Sequence, residues 1–184
     1  MDARQTLIDE LRTHALVIGE VTLTSGKKAS YYVDAKRAIL RQPAFGAVGE
    51  LVAATAHELG ARAVGGMTMG ADPIASAALA GTGGDELVAF FVRKDRKEHG
   101  LQRWVEGPLL EPATPVLIVE DVVTTGGSTV QAIERCREEG LEIVGTVAVL
   151  DRLAGGAEAI AAAGGGTYRP LATIDDVYPD RPAA

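Results

Sequence analysis

The chain has 184 residues, 47% of them hydrophobic, enough for one well-formed core and short for two domains, so a single domain over 1–184 is expected. A formal net charge of −7 argues against nucleic acid or an anionic membrane as partner, so any anionic ligand must be held by local groups. The single cysteine, Cys136, excludes an internal disulfide framework, and no Cys/His pair stands at metal-ligand spacing; a cytoplasmic location fits.

In the first twenty-one residues Asp, Glu and Arg interrupt the apolar positions, so no signal peptide or spanning helix is expected there. Leu7, Ile8, Leu11, Ala15 and Ile18 recur at helical spacing and predict an amphipathic helix ending near Gly19. Strand-like residues on both sides of Ser25-Gly26-Lys27-Lys28 predict a hairpin. A helix from about Pro43 to Leu59, a short strand in "RAVGGMT" and a helix from Asp72 to about Ala80 follow. "ELVAFFVR", "PVLIVEDV" and "EIVGTVAVLD" read as buried strands, "GGSTVQAIERCREEG" as a helix closed by Gly140, and "AGGAEAIAAAGGG" as a small-residue helix with its exit turn.

Apolar β-branched runs alternating with helices predict an α/β fold with a central, mostly parallel sheet flanked by helices. Ligands of such sheets bind beyond the carboxyl ends of the strands. Four such ends carry polar or Gly-rich sequence: Met67 to Asp72, Arg93 onward, Glu120 onward, and Asp151-Arg152.

The third of these, "VLIVEDVVTTGGST", is the most informative. Glu120 and Asp121 are expected to leave the sheet, Val122 and Val123 to anchor the turn, and Thr124 to Thr129 to begin a helix. Free N–H groups and the dipole at a helix start suit a phosphate, which Gly126 and Gly127 let the backbone approach. Thr125, Ser128 and Thr129 add hydroxyl donors. Carboxylates beside a phosphate site make sense if they accept from the hydroxyls of a sugar, as in a ribose 5-phosphate. Capping alone would leave the hydroxyl cluster unexplained, and a nucleotide-hydrolysing P-loop would need a G-x-x-x-x-G-K-[ST] run that the chain lacks.

This segment resembles the phosphoribosyl pyrophosphate (PRPP) signature of type I phosphoribosyltransferases. The resemblance implies that Glu120 and Asp121 hold the ribose hydroxyls, that the loop Thr124, Thr125, Gly126, Gly127 and Ser128 cradles the 5-phosphate, and that Val122 and Val123 belong to the same PRPP-binding stretch. It also gives Asp121 a catalytic part, stabilising positive charge on the ribose.

The basic run "RKDRKEHG" follows a buried strand on the ligand-binding edge, where cations would meet a departing diphosphate and stabilise the transition state more than the ground state. Its pattern is similar to the catalytic loop of the orotate phosphoribosyltransferase family. By that resemblance Arg93, Lys94, Lys97 and His99 contact the diphosphate, Lys97 and His99 are catalytic, and the loop reaches across a homodimer. "TLTSGKKASYYVD" resembles the family's N-terminal hood, mainly residues 1–40, over the base. Arg152 and Thr124 would hold orotate, since a guanidinium can pair a carboxylate in bidentate fashion; the bland alternative for Arg152 is an ion pair with Asp151 or another surface acid. The implied reaction transfers the ribose 5-phosphate of PRPP to orotate in UMP synthesis, with Mg²⁺ bound mainly through the substrate diphosphate and no direct protein ligand assigned. Rival readings are a purine or uracil phosphoribosyltransferase and a non-catalytic regulator. Some members carry Lys where this chain has Thr24, and Tyr-Lys where it has Met69-Gly70; Lys27 and Lys28 stand as candidate replacements. His14, His57 and Cys136 read as structural, and Trp104 as an anchor for the base of the basic loop.

Overall fold

The computed structural model describes residues 2–22, 28–95 and 103–182. Helix α1 (Ala3–Glu10) is capped by the Asp2 carboxylate, which accepts from the Arg4 N–H. It runs into one π-type turn, Leu11–Ala15, and the chain is extended from Leu16 onward. The expected helix to Gly19 is therefore too long. Ile18 belongs to a strand and is exposed, because the β-branched run from Val17 finds a partner strand that outweighs the helical spacing.

That strand, β1 (Leu16–Thr22), pairs antiparallel with β2 (Lys28–Val33), with a register shift between Ile18 and Val21. The turn of this hairpin, including Thr24, Gly26 and Lys27, lies outside the described residues. A short helix α2 (Lys36–Ile39) follows, then α3 (Ala44–Glu58), which buries Val48, Val52 and Ala56 at i, i+4 spacing. Full burial of each valine stabilises by roughly 2 kcal/mol, so an acid at Val52 would open this layer.

The second sheet holds β3 (Ala63–Met67), β4 (Val88–Val92), β5 (Val105–Glu106), β6 (Pro115–Val123), β7 (Glu142–Asp151) and β8 (Thr167–Thr173) in the order β5-β4-β3-β6-β7-β8. All neighbours are parallel except the short edge strand β5. Helices α4 (Asp72–Ala78), α5 (Gly127–Glu138) and α6 (Gly156–Ala162) connect the strands, and α7 (Ile174–Val177) follows β8. Two apolar clusters cover the sheet: one joins Leu7, Leu11, Val48 and Ile74 to Leu117 and Val149, the other joins Ile133, Cys136 and Ile160 to Phe90 and Ile118. Alternate residues of β6 thus enter opposite layers, as a doubly covered parallel strand requires. Among the described residues no helix is long and apolar enough to cross a membrane.

Candidate active site at the carboxyl edge of the sheet

Glu120 and Asp121 do not leave the sheet. Strand β6 continues to Val123 on β7, with Glu120 opposite Ala148 and Val123 opposite Asp151, whereas its pairing with β3 ends at Gly65 and Ile118. The acids therefore stand where β6 keeps one neighbour and loses the other. Their own side chains serve backbone donors there: Glu120 Oε1 accepts from the Asp121 N–H at 3.2 Å, and Asp121 Oδ1 from the Val122 N–H at 2.8 Å.

Both carboxylates are nearly buried, at 6% and 8% exposure, and they face different partners. Glu120 Oε2 accepts from the Thr129 hydroxyl at 3.2 Å, so this hydroxyl serves the acid pair and not the phosphate to which the sequence pattern assigns it. Asp121 Oδ2 accepts from Lys36 Nζ at 2.7 Å. Burial, and then the neighbouring charge of Asp121, push the Glu120 carboxyl above the usual carboxylate range. For the Lys36 ammonium burial acts downward, but the hydrogen bonds and charges of Asp121 and Asp34 outweigh it and hold it above the usual lysine range.

A cavity of about 220 Å³ opens beside the pair, lined by Lys36, Thr68, Met69, Gly70, Lys94, Glu120, Asp121 and Ser128. The loop after β3 forms one wall, with a cis Thr68–Met69 peptide and the Thr68 hydroxyl donating to Asp72 at 2.7 Å. Lys94 reaches this cavity, while Arg93 lines a neighbouring one and is held by Glu106 at 3.2 Å. Lys97 and His99 lie outside the described residues. Trp104, just beyond them, is fixed to α5: its Nε1 donates to Glu138 at 2.6 Å and Arg135 stacks 4.4 Å from its ring centroid.

Helix α5 begins at Gly127, later than the hydroxyl pattern suggests. Gly126 precedes it at φ +80°, and a Cβ there would approach the Gly156 carbonyl oxygen to 3.0 Å, so glycine is required twice over. Around Gly127 the space is open, and Thr125 and Ser128 are exposed.

On the other side of this loop, Thr124 lines a second cavity of about 470 Å³ with Tyr31, Arg152, Asp175 and Arg181. The ion pair considered for Arg152 is absent: Asp151 instead accepts from the Leu153 N–H at 2.7 Å and the Tyr168 hydroxyl at 2.8 Å, which shapes the turn that presents Arg152. Burial, then Asp151, raise the Tyr168 hydroxyl far above its usual range, so it remains a donor. Arg152 Nε is buried without a partner, and its guanidinium lies 5.3 Å from the Tyr31 ring centroid. Tyr31 also meets Tyr178 edge to face, whereas Tyr32 is exposed.

Sequence reasoning missed Lys36 and Asp34, although "DAK" adjoins the hood segment, and it missed the C-terminal wall of Asp175, Pro179 and Arg181. Of the two candidate replacements for the absent lysines, Lys28 pairs with Glu20 across the hairpin at 2.8 Å, and Lys27 lies outside the described residues. His14 lies 3.7 Å from Glu10, His57 Nε2 is 2.9 Å from the Gly83 carbonyl oxygen, and burial followed by Glu139 pushes the Cys136 thiol up to about 12.

An acid pair at the tip of a parallel strand, with a Gly-rich helix start behind it, is an arrangement chemically suited to a sugar phosphate. Consistent with it, residues 37–165 match the phosphoribosyl transferase domain, and the chain belongs to the phosphoribosyltransferase family. It is 45% identical over 177 residues to an orotate phosphoribosyltransferase of Corynebacterium glutamicum (strain R), covering 96% of this chain and 95% of that protein. Within the wider family the chain is thus a member of the orotate phosphoribosyltransferases. Its fold is similar to the Mycobacterium tuberculosis H37Rv orotate phosphoribosyltransferase in complex with Fe(III) dicitrate, with a TM-score of 0.86 and 40% identity over 96% of this chain and 99% of that one. The structure of the same enzyme in complex with PRPP has a TM-score of 0.81 and 36% identity, over 95% of this chain and 98% of that one.

Proposed function

We infer that the chain transfers the ribose 5-phosphate of PRPP to orotate, giving orotidine 5-phosphate and pyrophosphate in the formation of UMP. The observation that carries this reading is the pair of cavities meeting at the loop 124–128: one holds the buried acids, the other a guanidinium whose Nε has no partner. An arginine Nε buried with no partner among the described residues is a donor that an anion can satisfy, and orotate supplies a carboxylate on a planar ring.

In the reaction orotate N1 bonds to ribose C1 as the C1–O bond to the diphosphate breaks; the bonding electrons leave with the pyrophosphate, whose oxygens take up the N1 proton. Glu120 and Asp121 accept from the ribose hydroxyls, and Asp121 lies near the positive charge that grows on the ring. The loop 124–128 holds the 5-phosphate at the start of α5. Arg93, Lys94, Lys97 and His99 serve the diphosphate, and Arg152 with Thr124 orients orotate. The work of the protein is positioning and charge neutralisation, with no covalent intermediate.

Oxygen donors around the first cavity, two carboxylates and the hydroxyls of Thr68 and Ser128, suit a hard cation that brings most of its ligands as diphosphate and ribose oxygens and water. Mg²⁺ carried in this way would supply positive charge to the leaving group. The whole chain acts as one phosphoribosyltransferase domain with residues 1–40 as its hood, in a cytoplasmic homodimer whose basic loop closes over the partner's site.

The test is to incubate the protein with PRPP and Mg²⁺ and, separately, orotate, uracil, adenine or hypoxanthine, and to resolve nucleotide products by chromatography. Nucleotide with orotate alone is expected. Product with another base would replace the substrate assignment, and PRPP binding without any product would point to a regulator.

A further inference from the structure

A diphosphate carries dense negative charge, yet the loop that walls its cavity, Thr68 to Gly70, has no cationic side chain. Two lysines line that cavity from elsewhere, Lys94 from the end of β4 and Lys36 from the start of α2. Lys36 stands at the boundary between the diphosphate and diol positions. Its ammonium is 2.7 Å from Asp121 Oδ2 and 3.1 Å from Asp34 Oδ1. The turn 68–70 packs directly on the same acids, since a Cβ on Gly70 would lie 2.6 Å from Asp121 Oδ1 and 3.1 Å from Glu120 Oε1. In PRPP itself the diphosphate on C1 is adjacent to the C2 hydroxyl, so a cation at this boundary can reach both.

Resting on the PRPP reading above, we propose that Lys36 is a diphosphate-binding residue of this enzyme, parked on Asp121 while the site is empty and released to the diphosphate when the ribose hydroxyls take Asp121. Asp34 makes the exchange possible. It accepts from the Lys36 N–H at 3.2 Å as well as from its ammonium, so the side chain keeps one anchor while the other is given up. The handover also removes a conflict: a diol can occupy Asp121 only if the lysine yields, and the arriving diphosphate offers that lysine a more highly charged partner. Lys36 in this way fills the part for which Thr24 and Met69-Gly70 carry no charge.

The test compares the wild type with Lys36→Met and Lys36→Arg by calorimetry, using PRPP with Mg²⁺ and, separately, ribose 5-phosphate, which lacks the diphosphate. Lys36→Met is expected to weaken PRPP at least tenfold, to leave ribose 5-phosphate within twofold or tighter, and to leave the KM for orotate within twofold. Lys36→Arg is expected to recover most of the PRPP affinity. Unchanged PRPP affinity in Lys36→Met, an equal loss for both ligands, or no recovery with arginine would each overturn the proposal. A wild type that makes no orotidine 5-phosphate would instead overturn the reaction assignment, so the two failures are separable.

Discussion

Gly70→Ala probes how tightly the acid pair is fitted to the turn beside it. Gly70 is not among the positive-φ residues, so alanine can adopt its backbone, and the effect of the substitution is one methyl group. That methyl would fall 2.6 Å from Asp121 Oδ1, and reaching the 3.4 Å at which ordinary contact begins requires a relative shift of 0.8 Å. The softest atoms available are the carboxylates, so the displacement lands on Asp121 and on its ion pair with Lys36. Misplacing a positioning group by about 1 Å costs on the order of 10²-fold in rate. We expect kcat/KM for PRPP to fall about 10- to 100-fold, with the KM for orotate within a factor of two and the melting temperature nearly unchanged, because Gly70 lies on a half-buried turn. Initial rates at varied PRPP, with melting curves as the control for folding, decide the matter. Wild-type kcat/KM for PRPP in a folded Gly70→Ala protein would refute the claim that these carboxylates are held in register by the turn.

Arg152→Ala should raise the KM for orotate roughly 10- to 150-fold, the equivalent of one charge-assisted hydrogen-bonded pair at about 1.5–3 kcal/mol, while the KM for PRPP stays within twofold; unchanged orotate kinetics would remove Arg152 from the base site. Lys97→Ala should lower turnover by about 10²- to 10³-fold and weaken binding of orotidine 5-phosphate much less, and normal turnover would exclude the basic loop from the chemistry. Asp176 closes a capping box with Thr173 and is paired with Arg4 at 2.9 Å. Burial acts upward on it, but the Thr173 hydrogen bonds and then Arg4 outweigh this and hold its carboxyl below the usual range. A depressed folded-state value means the contribution is complete above the unfolded-state value of about pH 4 and is lost as pH falls through the folded value. Asp176→Ala should therefore be less stable by about 1 kcal/mol at pH 7 in denaturant melts, with the gap closing in acid; a pH-independent gap would contradict the assignment.

The alternation of apolar β-branched runs with helices was enough to read the sheet, because a parallel strand covered on both faces must be apolar along its length. "PVLIVEDV" and "EIVGTVAVLD" lie within the observed β6 and β7. Where the reading failed, tertiary contacts overrode local pattern. Ile18 keeps helical spacing with Leu11 but pairs with Tyr31, as the neighbouring Val17 pairs with Tyr32. Strands β5 and β8 carry charged or turn-forming residues such as Glu106 and Pro170 and escape a search for apolar runs; both are adjacent to a single strand, at the two edges of the sheet.

The site was legible where one contiguous segment builds it and illegible where distant segments meet. Glu120 through Ser128 could be read as a unit because strand, turn and helix start follow one another in the chain. Its exact geometry could not, because it depends on the pairing of β6 with β3 ending at Gly65 and Ile118 while its pairing with β7 runs on to Asp151. That difference in strand length opens the gap that the turn 68–70 fills and toward which Lys36 reaches across 85 positions of sequence. Nothing local to "DAK" marks its lysine as different from Lys28, which spends its charge on Glu20. The distinction is made by Asp34, whose carboxylate accepts from both the backbone N–H and the ammonium of Lys36 and so holds that side chain beside the acids. A pattern search finds the residues that a ligand touches in sequence order; the residue that adjusts their charge came from another element and needed the fold to be found.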